Sequence, residues 1–170
     1  MQFNVAALLQ EHTGATREYD IGDDVAIDGA PQHLIGHLRL DRTPRGVLAR
    51  VRLRGTMYAD CSRCLKPTSA AVELVIEEEF IPTLDINGGG RIEPTETETE
   101  NYRVNARHIL DLTEAVRQYW AIALPMAPLC GEECRGLCAH CGADLNETAH
   151  ECGNDDADSP WALLRTLKLS

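Results

Sequence analysis

The sequence lacks any continuous apolar run of about 18 residues or more, the length at which a transmembrane helix is expected. Residues 1–9 lack the basic segment with which a secretory signal peptide begins. These two absences predict a cytoplasmic protein, in which cysteine thiols stay reduced and disulfide bonds are rare. An odd count of 7 cysteines also fits poorly with a framework made only of disulfides.

The chain also lacks the common sequence signatures of catalysis. No P-loop, GxSxG or HExxH motif occurs, and the motif order of the zinc deaminases is absent. A c-type haem needs histidine directly after C-x-x-C, where this chain has Leu65 and Gly142. The C-x-x-C pair at 61–64 lies between strands that we expect to be antiparallel, so it lacks the βαβ context of a thioredoxin-like redox pair. We therefore expect a protein that is not an enzyme.

Charge is distributed unevenly along the chain. The net charge is −11, which by itself argues against binding to nucleic acid. Residues 39–66, however, hold eight basic and two acidic residues, a net charge of +6, and the rest of the chain carries −17. A local basic surface on an acidic protein is thus one interpretation. The other is a solvated strand face whose arginines serve only solubility.

Cysteine spacing is the strongest chemical signal. One C-x-x-C pair is Cys61 and Cys64, and five further cysteines follow near the C-terminus: Cys130, Cys134, Cys138, Cys141 and Cys152. In a reducing compartment, such spacing indicates zinc held by thiolates in a tetrahedron. Closed sites of this kind leave no open position for a substrate, so we expect them to be structural.

With His150 as an eighth ligand, the cysteines could form two zinc sites. One site would contain Cys138, Cys141, His150 and Cys152, and the other would contain Cys61, Cys64, Cys130 and Cys134. A second division makes one site from Cys134, Cys138, Cys141 and Cys152 and leaves Cys61, Cys64 and Cys130 free. A redox pair at Cys61 and Cys64, without bound metal, is a third alternative.

Alternation of apolar and polar residues predicts antiparallel strands over 33–41, 46–58 and 69–81, with an edge strand over 16–21. In the first of these, Leu34, Leu38 and Leu40 lie on one face. In the second, Val47, Ala49, Val51 and Leu53 face one side, while Arg50, Arg52 and Arg54 face the solvent. Glu73 and Glu77 could pair with these arginines across neighbouring strands. If the basic surface binds RNA, the candidate contacts are Arg39, Arg50, Arg52, Arg54 and Arg63.

The other segments complete an α+β fold. A long helix is expected after Asp111, with Glu114 as its capping-box partner and Pro125 at its end. The sequence predicts an antiparallel sheet or partly open barrel packed by this helix, within a domain of residues 1–129. Residues 83–101 are expected to be a mobile acidic loop. Residues 130–170 are expected to form a zinc-knuckle segment with a short terminal helix over 159–167 packed on it.

Several of these segments together resemble a known family. They are CSRCLKP at 61–67, EEEF at 77–80, DL at 111–112, ALPMAPLC at 123–130 and CRGLCAHCGADLN at 134–146. Over roughly residues 30–168 the chain resembles the YceD family, the large ribosomal RNA subunit accumulation proteins. His150 departs from the pattern, because relatives with the full C-terminal block often carry cysteine there.

The resemblance implies a ribosome biogenesis factor, needed for normal levels of 23S ribosomal RNA. Some relatives keep the first C-x-x-C while the C-terminal block is reduced, which implies that Cys61 and Cys64 are partners of Cys130 and Cys134. The expected partner is 23S rRNA or a large-subunit ribosomal protein. The alternative is a zinc-stabilised adaptor whose acidic surface recognises a basic ribosomal protein.

Overall fold

The computed structural model describes residues 1–27, 29–86, 88–93, 102–147 and 151. Its elements are, in chain order, β1 (Gln2–Asn4), α1 (Ala6–Gln10), β2 (Thr16–Ile27), β3 (Ala30–Arg42), β4 (Val47–Asp60), β5 (Pro67–Pro82), β6 (Arg103–Val104), β7 (Ile109–Asp111) and α2 (Thr113–Ala123). The chain divides into two compact units. Unit 1 comprises Met1–Tyr58 and Ser69–Met126, and unit 2 comprises Ala59–Thr68 and the chain from Ala127 onward. Residues 59–68, which were expected within the sheet domain, thus cluster with the cysteine-rich segment.

Unit 1 is built on a curled, mixed sheet with the strand order β2-β3-β4-β5-β6. β2 pairs with β3, and β3 with β4, in antiparallel register. β6 pairs with β5 in parallel register, so the expectation of a purely antiparallel sheet is wrong at this edge. β6 has only two residues, too few to show any periodicity in the sequence. A separate two-stranded sheet joins β1 to β7.

The core of unit 1 lies on one face of this sheet. The predicted inward residues of β3, Leu34, Leu38 and Leu40, are fully buried, as are the four apolar residues of β4 from Val47 to Leu53. The alternate residues of β4 are exposed arginines. The period of two in the sequence therefore identified both faces of β3 and β4.

Helix α2 is shorter than the long helix expected, with 11 residues, about the mean length for globular proteins. At the start of α2, the Asp111 carboxylate accepts a hydrogen bond of 2.9 Å from the Thr113 backbone N–H. Trp120 of α2 packs against β4 at Gly55, where a Cβ atom would come within 2.9 Å of the indole ring. Glycine at this position is therefore what allows the helix to approach the strand so closely. No helix in the described residues is long and apolar enough to span a membrane.

Part of the expected acidic loop at 83–101 has regular structure. Leu84 and Arg91 form an antiparallel bridge, and the Gly89 backbone N–H donates to the Asp85 carbonyl at 2.8 Å, which closes a tight turn. Residues 94–101, and with them most of the predicted acidic stretch, lie outside the described residues. The predicted terminal helix over 159–167 also lies outside them.

Candidate metal centre

The turn that connects β4 to β5 forms the first half of the candidate site. In this first cysteine loop, residues 61–66, the Cys61 backbone N–H donates to the Lys66 carbonyl at 2.8 Å. The Leu65 N–H donates back to the Cys61 carbonyl at 2.9 Å, and Leu65 has a positive φ of 60°. These two hydrogen bonds tighten the loop, so that two cysteines three positions apart in the chain can serve one metal ion.

Four cysteine sulfurs of unit 2 meet in one cluster. The sulfurs of Cys61, Cys64, Cys130 and Cys134, hereafter the sulfur cluster, all lie within 4.8 Å of one another. Cys61 Sγ is 3.8 Å from Cys134 Sγ, and Cys64 Sγ is 3.6 Å from Cys130 Sγ. A disulfide bond would need about 2.05 Å. Thiolates at about 2.3 Å from a tetrahedral zinc ion lie about 3.8 Å apart, so the spacing fits zinc coordination.

The thiols of the sulfur cluster differ in how readily they ionise. The backbone N–H groups of Cys64, Arg63 and Cys130 point at the Cys61 sulfur and lower the pKa of that thiol to about 6. The neighbouring thiols of Cys134, Cys64 and Cys61 raise the pKa of Cys130 to about 12. Adjacent thiolates repel each other, and a divalent cation offsets that repulsion. Four sulfur donors, three of them buried, therefore suit a soft or borderline metal ion such as zinc.

Side chains around the sulfur cluster hold its segments together. The Arg63 guanidinium donates from Nη1 to the carbonyls of Glu132, at 3.2 Å, and Cys134, at 2.9 Å. The Asn146 amide donates from Nδ2 to Cys134 Sγ at 3.6 Å. No sequence pattern predicts either role of these side chains beyond their place in the cysteine-rich segments. Arg63, a predicted RNA contact, thus has its guanidinium directed at backbone carbonyls of unit 2.

A second cysteine loop, residues 138–143, repeats the backbone of the first. The Cys138 N–H donates to the Ala143 carbonyl at 2.8 Å, and the Gly142 N–H donates to the Cys138 carbonyl at 2.9 Å. Gly142 has a φ of 75°, a conformation that glycine adopts at little cost. Cys138 is half-buried and Cys141 is exposed, as is His140 between them. This second pair of thiols could also hold a metal ion.

The structure brings four of the predicted ligands together, and two others lie outside the described residues. Cys134 lies in the sulfur cluster with Cys61, Cys64 and Cys130, the grouping of the first division of ligands. The geometry does not favour the division that groups Cys134 with the second cysteine loop. His150 and Cys152, the other two ligands predicted for the second site, lie outside the described residues.

Four of the predicted RNA contacts lie on the exposed face of the sheet in unit 1. This arginine row consists of Arg39, Arg50, Arg52 and Arg54. Carboxylates flank it, as anticipated for Glu73 and Glu77: Arg50 Nε lies 3.1 Å from Glu77, and Arg54 Nε lies 2.6 Å from Glu73. Asp41, for which no sequence pattern predicts a role, accepts a hydrogen bond from Arg39 at 2.8 Å and also pairs with Arg50.

Comparison with known proteins gives a consistent result. The family model described as large ribosomal RNA subunit accumulation protein YceD matches residues 49–168, a range that contains all seven cysteines. An uncharacterised protein of Mycobacterium tuberculosis is 29% identical over 128 residues, which are 75% of this chain and 58% of that protein. An uncharacterised protein of Mycobacterium leprae is 29% identical over 144 residues, 82% of this chain and 60% of that protein.

A shorter similarity involves a plant protein. The large ribosomal RNA subunit accumulation protein YCED homolog 1, chloroplastic, of Arabidopsis thaliana is 27% identical over 59 residues, 35% of this chain and 18% of that protein. The chain thus spans 58–60% of the length of the mycobacterial relatives and a smaller part of the plant relative. No solved structure matches the chain.

Proposed function

Because this chain belongs to the YceD family of large ribosomal RNA subunit accumulation proteins, we propose that it is a non-enzymatic factor in biogenesis of the large ribosomal subunit. In this proposal it acts in the cytoplasm and supports the accumulation of 23S rRNA. The observation that carries the proposal is the family match over residues 49–168, which includes the β4 arginines and the sulfur cluster.

We further propose that the cysteines hold structural zinc. The sulfur cluster would hold one Zn²⁺ through Cys61, Cys64, Cys130 and Cys134. A second Zn²⁺ would be held by Cys138, Cys141, His150 and Cys152. Zinc with four protein ligands has no position for a substrate, so its contribution is the folding free energy of unit 2. The chain's own residues would do the rest: Arg63 orients the segment at 132–134 through two carbonyls, and Asn146 donates to the Cys134 sulfur.

The proposed partner is 23S rRNA or a large-subunit ribosomal protein within a pre-ribosomal particle. Support for an RNA contact comes from the arginine row, which projects from the exposed face of β3 and β4. Guanidinium groups bind phosphates through charge-assisted hydrogen bonds. Arg63 is the weaker candidate, because it already donates to two carbonyls.

A second candidate is an adaptor that recognises a basic ribosomal protein. It is favoured by the exposed carboxylates on β2, Glu18, Asp20 and Asp24, which border the arginine row. In this case, exchanging Asp20 and Asp24 for asparagine should weaken capture of the ribosomal protein. Exchanging Arg52 for alanine should leave that capture unchanged.

The primary proposal is tested by removing the gene from its host and measuring rRNA. We expect the ratio of 23S to 16S rRNA to fall and precursors of the large subunit to accumulate in sucrose gradients. The wild-type gene should restore the ratio, and Cys64→Ser should not, whereas Ser62→Ala in the same loop should. An unchanged 23S to 16S ratio in the deletion strain would contradict the proposal.

A further inference from the structure

Each residue of the arginine row has a defined cross-strand neighbour on the exposed face of the sheet. In the β3–β4 register, Arg39 lies opposite Arg50, His37 opposite Arg52, and Ile35 opposite Arg54. β5 neighbours β4 on the other side and presents Glu73, Val75 and Glu77 on the same face. Each arginine of β4 therefore has a defined neighbour on β5.

Carboxylates neutralise the arginines on both sides of Arg52, whereas Arg52 itself forms no ion pair with any described residue. Arg50 pairs with Glu77 and Asp41, and Arg54 pairs with Glu73. Val75 stands between the two glutamates on β5, where a third carboxylate would meet Arg52. Within the described part of the chain, no carboxylate comes within 4.0 Å of the Arg52 guanidinium. The row therefore carries one cation that the fold does not use.

The surface around Arg52 is grooved and partly apolar. The lining of a groove of 470 Å³ includes Arg52, Ile35, His37 and Val75. It also includes two carboxylates, Asp20 beside His37 and Glu73 paired with Arg54. Ile35 and Val75 are 53% and 63% exposed. A second groove of 500 Å³ shares Ile35 and extends to Tyr58, whose side chain is 78% exposed. Tyr58 projects from the same face of β4 as Arg52, because the two positions differ by an even number of residues.

We propose that this face binds single-stranded RNA along β4, with a phosphate on Arg52 and unpaired bases against Ile35 and Tyr58. This inference rests on the proposed function and specifies its RNA contact. An unpaired guanidinium suits a phosphate oxygen, and exposed aromatic and apolar side chains suit the faces of unstacked bases. A duplex hides the faces of its bases, so the apolar parts of the two grooves select a single strand.

The number of unpaired arginines on this face determines how strongly RNA affinity should depend on salt concentration. If four arginines contacted phosphates, the logarithm of affinity would fall with the logarithm of salt with a slope of about −2.8 for a single strand. One contact at Arg52 gives a slope of about −0.7. Because the other three arginines are already paired with carboxylates, the smaller slope is the expected one.

Fluorescence anisotropy with the zinc-loaded, full-length chain and a labelled oligouridine of about 12 nucleotides tests the inference. Arg52→Ala should lower affinity about tenfold at low salt and bring the salt slope close to zero. Val75→Glu should do the same without removing the arginine, because it supplies the missing carboxylate. Tyr58→Ala should lower affinity about tenfold and leave the slope unchanged.

Two matched controls accompany these variants. Ile122→Glu makes the same kind of exchange as Val75→Glu at an exposed position of α2, which packs on the opposite face of the sheet, and it should bind like the wild type. The double exchange Arg50→Gln with Glu77→Gln removes a neutralised pair without altering net charge, and it should keep the wild-type slope. Thermal unfolding of every variant checks that the sheet is retained.

The outcomes separate this inference from the proposed function. If the wild type binds the oligonucleotide and both Arg52→Ala and Val75→Glu bind equally well, the inference is overturned. Equal affinity for a duplex of the same length also overturns it, as does a wild-type protein that binds a basic peptide and no RNA. In each of these cases, a fall of the 23S to 16S ratio in the deletion strain would still support the proposed function.

Discussion

The two cysteine loops of unit 2 share one backbone conformation but differ in how much of a metal site surrounds them. Both have the same pair of hydrogen bonds and a residue with positive φ directly after the second cysteine. In the first loop the residue with positive φ is Leu65. The two cysteine sulfurs of this loop are buried, and two further thiols lie beside them. In the second loop the residue with positive φ is Gly142, and the two cysteines of this loop are more exposed.

The two loops thus adopt the same conformation with either leucine or glycine at the position of positive φ. A leucine with φ of 60° costs about 1–2 kcal/mol relative to its usual conformations. Glycine has no such cost. We propose that zinc bound at the sulfur cluster compensates for this cost in the first loop.

The largest expected difference between the loops concerns the ligands themselves. Cys64→Ser should remove one zinc ion and destabilise unit 2 by several kcal/mol, because binding of structural zinc is coupled to folding. Cys138→Ser should also remove one zinc ion but with a smaller loss of stability, because its loop is less buried. Native mass spectrometry counts the metal, and chemical denaturation measures the free energy of unfolding.

Ser62→Ala, in the same loop as Cys64 but with an exposed side chain, is the control for that comparison. It should retain the wild-type metal content and stability. A Cys64→Ser protein that still binds two zinc ions would show that the sulfur cluster is not a metal site. A wild-type protein without metal would contradict both proposed sites.

A smaller difference is expected at the third position of each C-x-x-C. Arg63→Ala should destabilise unit 2 by about 1–3 kcal/mol, because it leaves the carbonyls of Glu132 and Cys134 without their charged donor. The equivalent exchange His140→Ala should change stability by less than about 0.5 kcal/mol, since His140 is exposed. Denaturant unfolding of zinc-loaded protein measures both. Equal effects of the two exchanges would remove the bracing role given to Arg63.

The smallest expected effect concerns the residue with positive φ. Leu65→Gly should stabilise the chain by at most about 1 kcal/mol, because relief of backbone strain is partly offset by the greater freedom of unfolded glycine. The reverse exchange, Gly142→Leu, should destabilise by about 1–2 kcal/mol. Thermal unfolding at matched zinc concentrations compares them. If Leu65→Gly is destabilising, the Leu65 side chain makes a contact that outweighs its backbone strain.

Sequence patterns predicted the long strands of unit 1, in which buried and exposed residues alternate. The alternation in β3 and β4 located the buried Leu34 and Val47 as well as the exposed arginines, because a strand buries every second residue. The pairing of β1 with β7, and of β6 with β5, could not be predicted in this way. These strands have two or three residues, and their partners, apart from β5, are equally short.

The candidate site was predictable in composition and not in arrangement. Spacing identified the cysteines as ligands, yet it allowed Cys134 to join either of two groups. Only the folded chain places its sulfur 3.8 Å from that of Cys61. The same holds for Arg52: its exposure follows from alternation, but its pairing depends on which β5 residues face it.

The distance along the chain between Cys61 and Cys134, 73 residues, has a consequence for synthesis. A nascent chain that has exposed only the first C-x-x-C offers two of the four sulfurs. At about 5–20 residues per second, the ribosome takes roughly 4–15 s to add the others. During this interval, any metal at Cys61 and Cys64 is held by two thiolates and is easily lost. At the proposed zinc site, durable metal capture would therefore follow the emergence of β5, β6, β7 and α2.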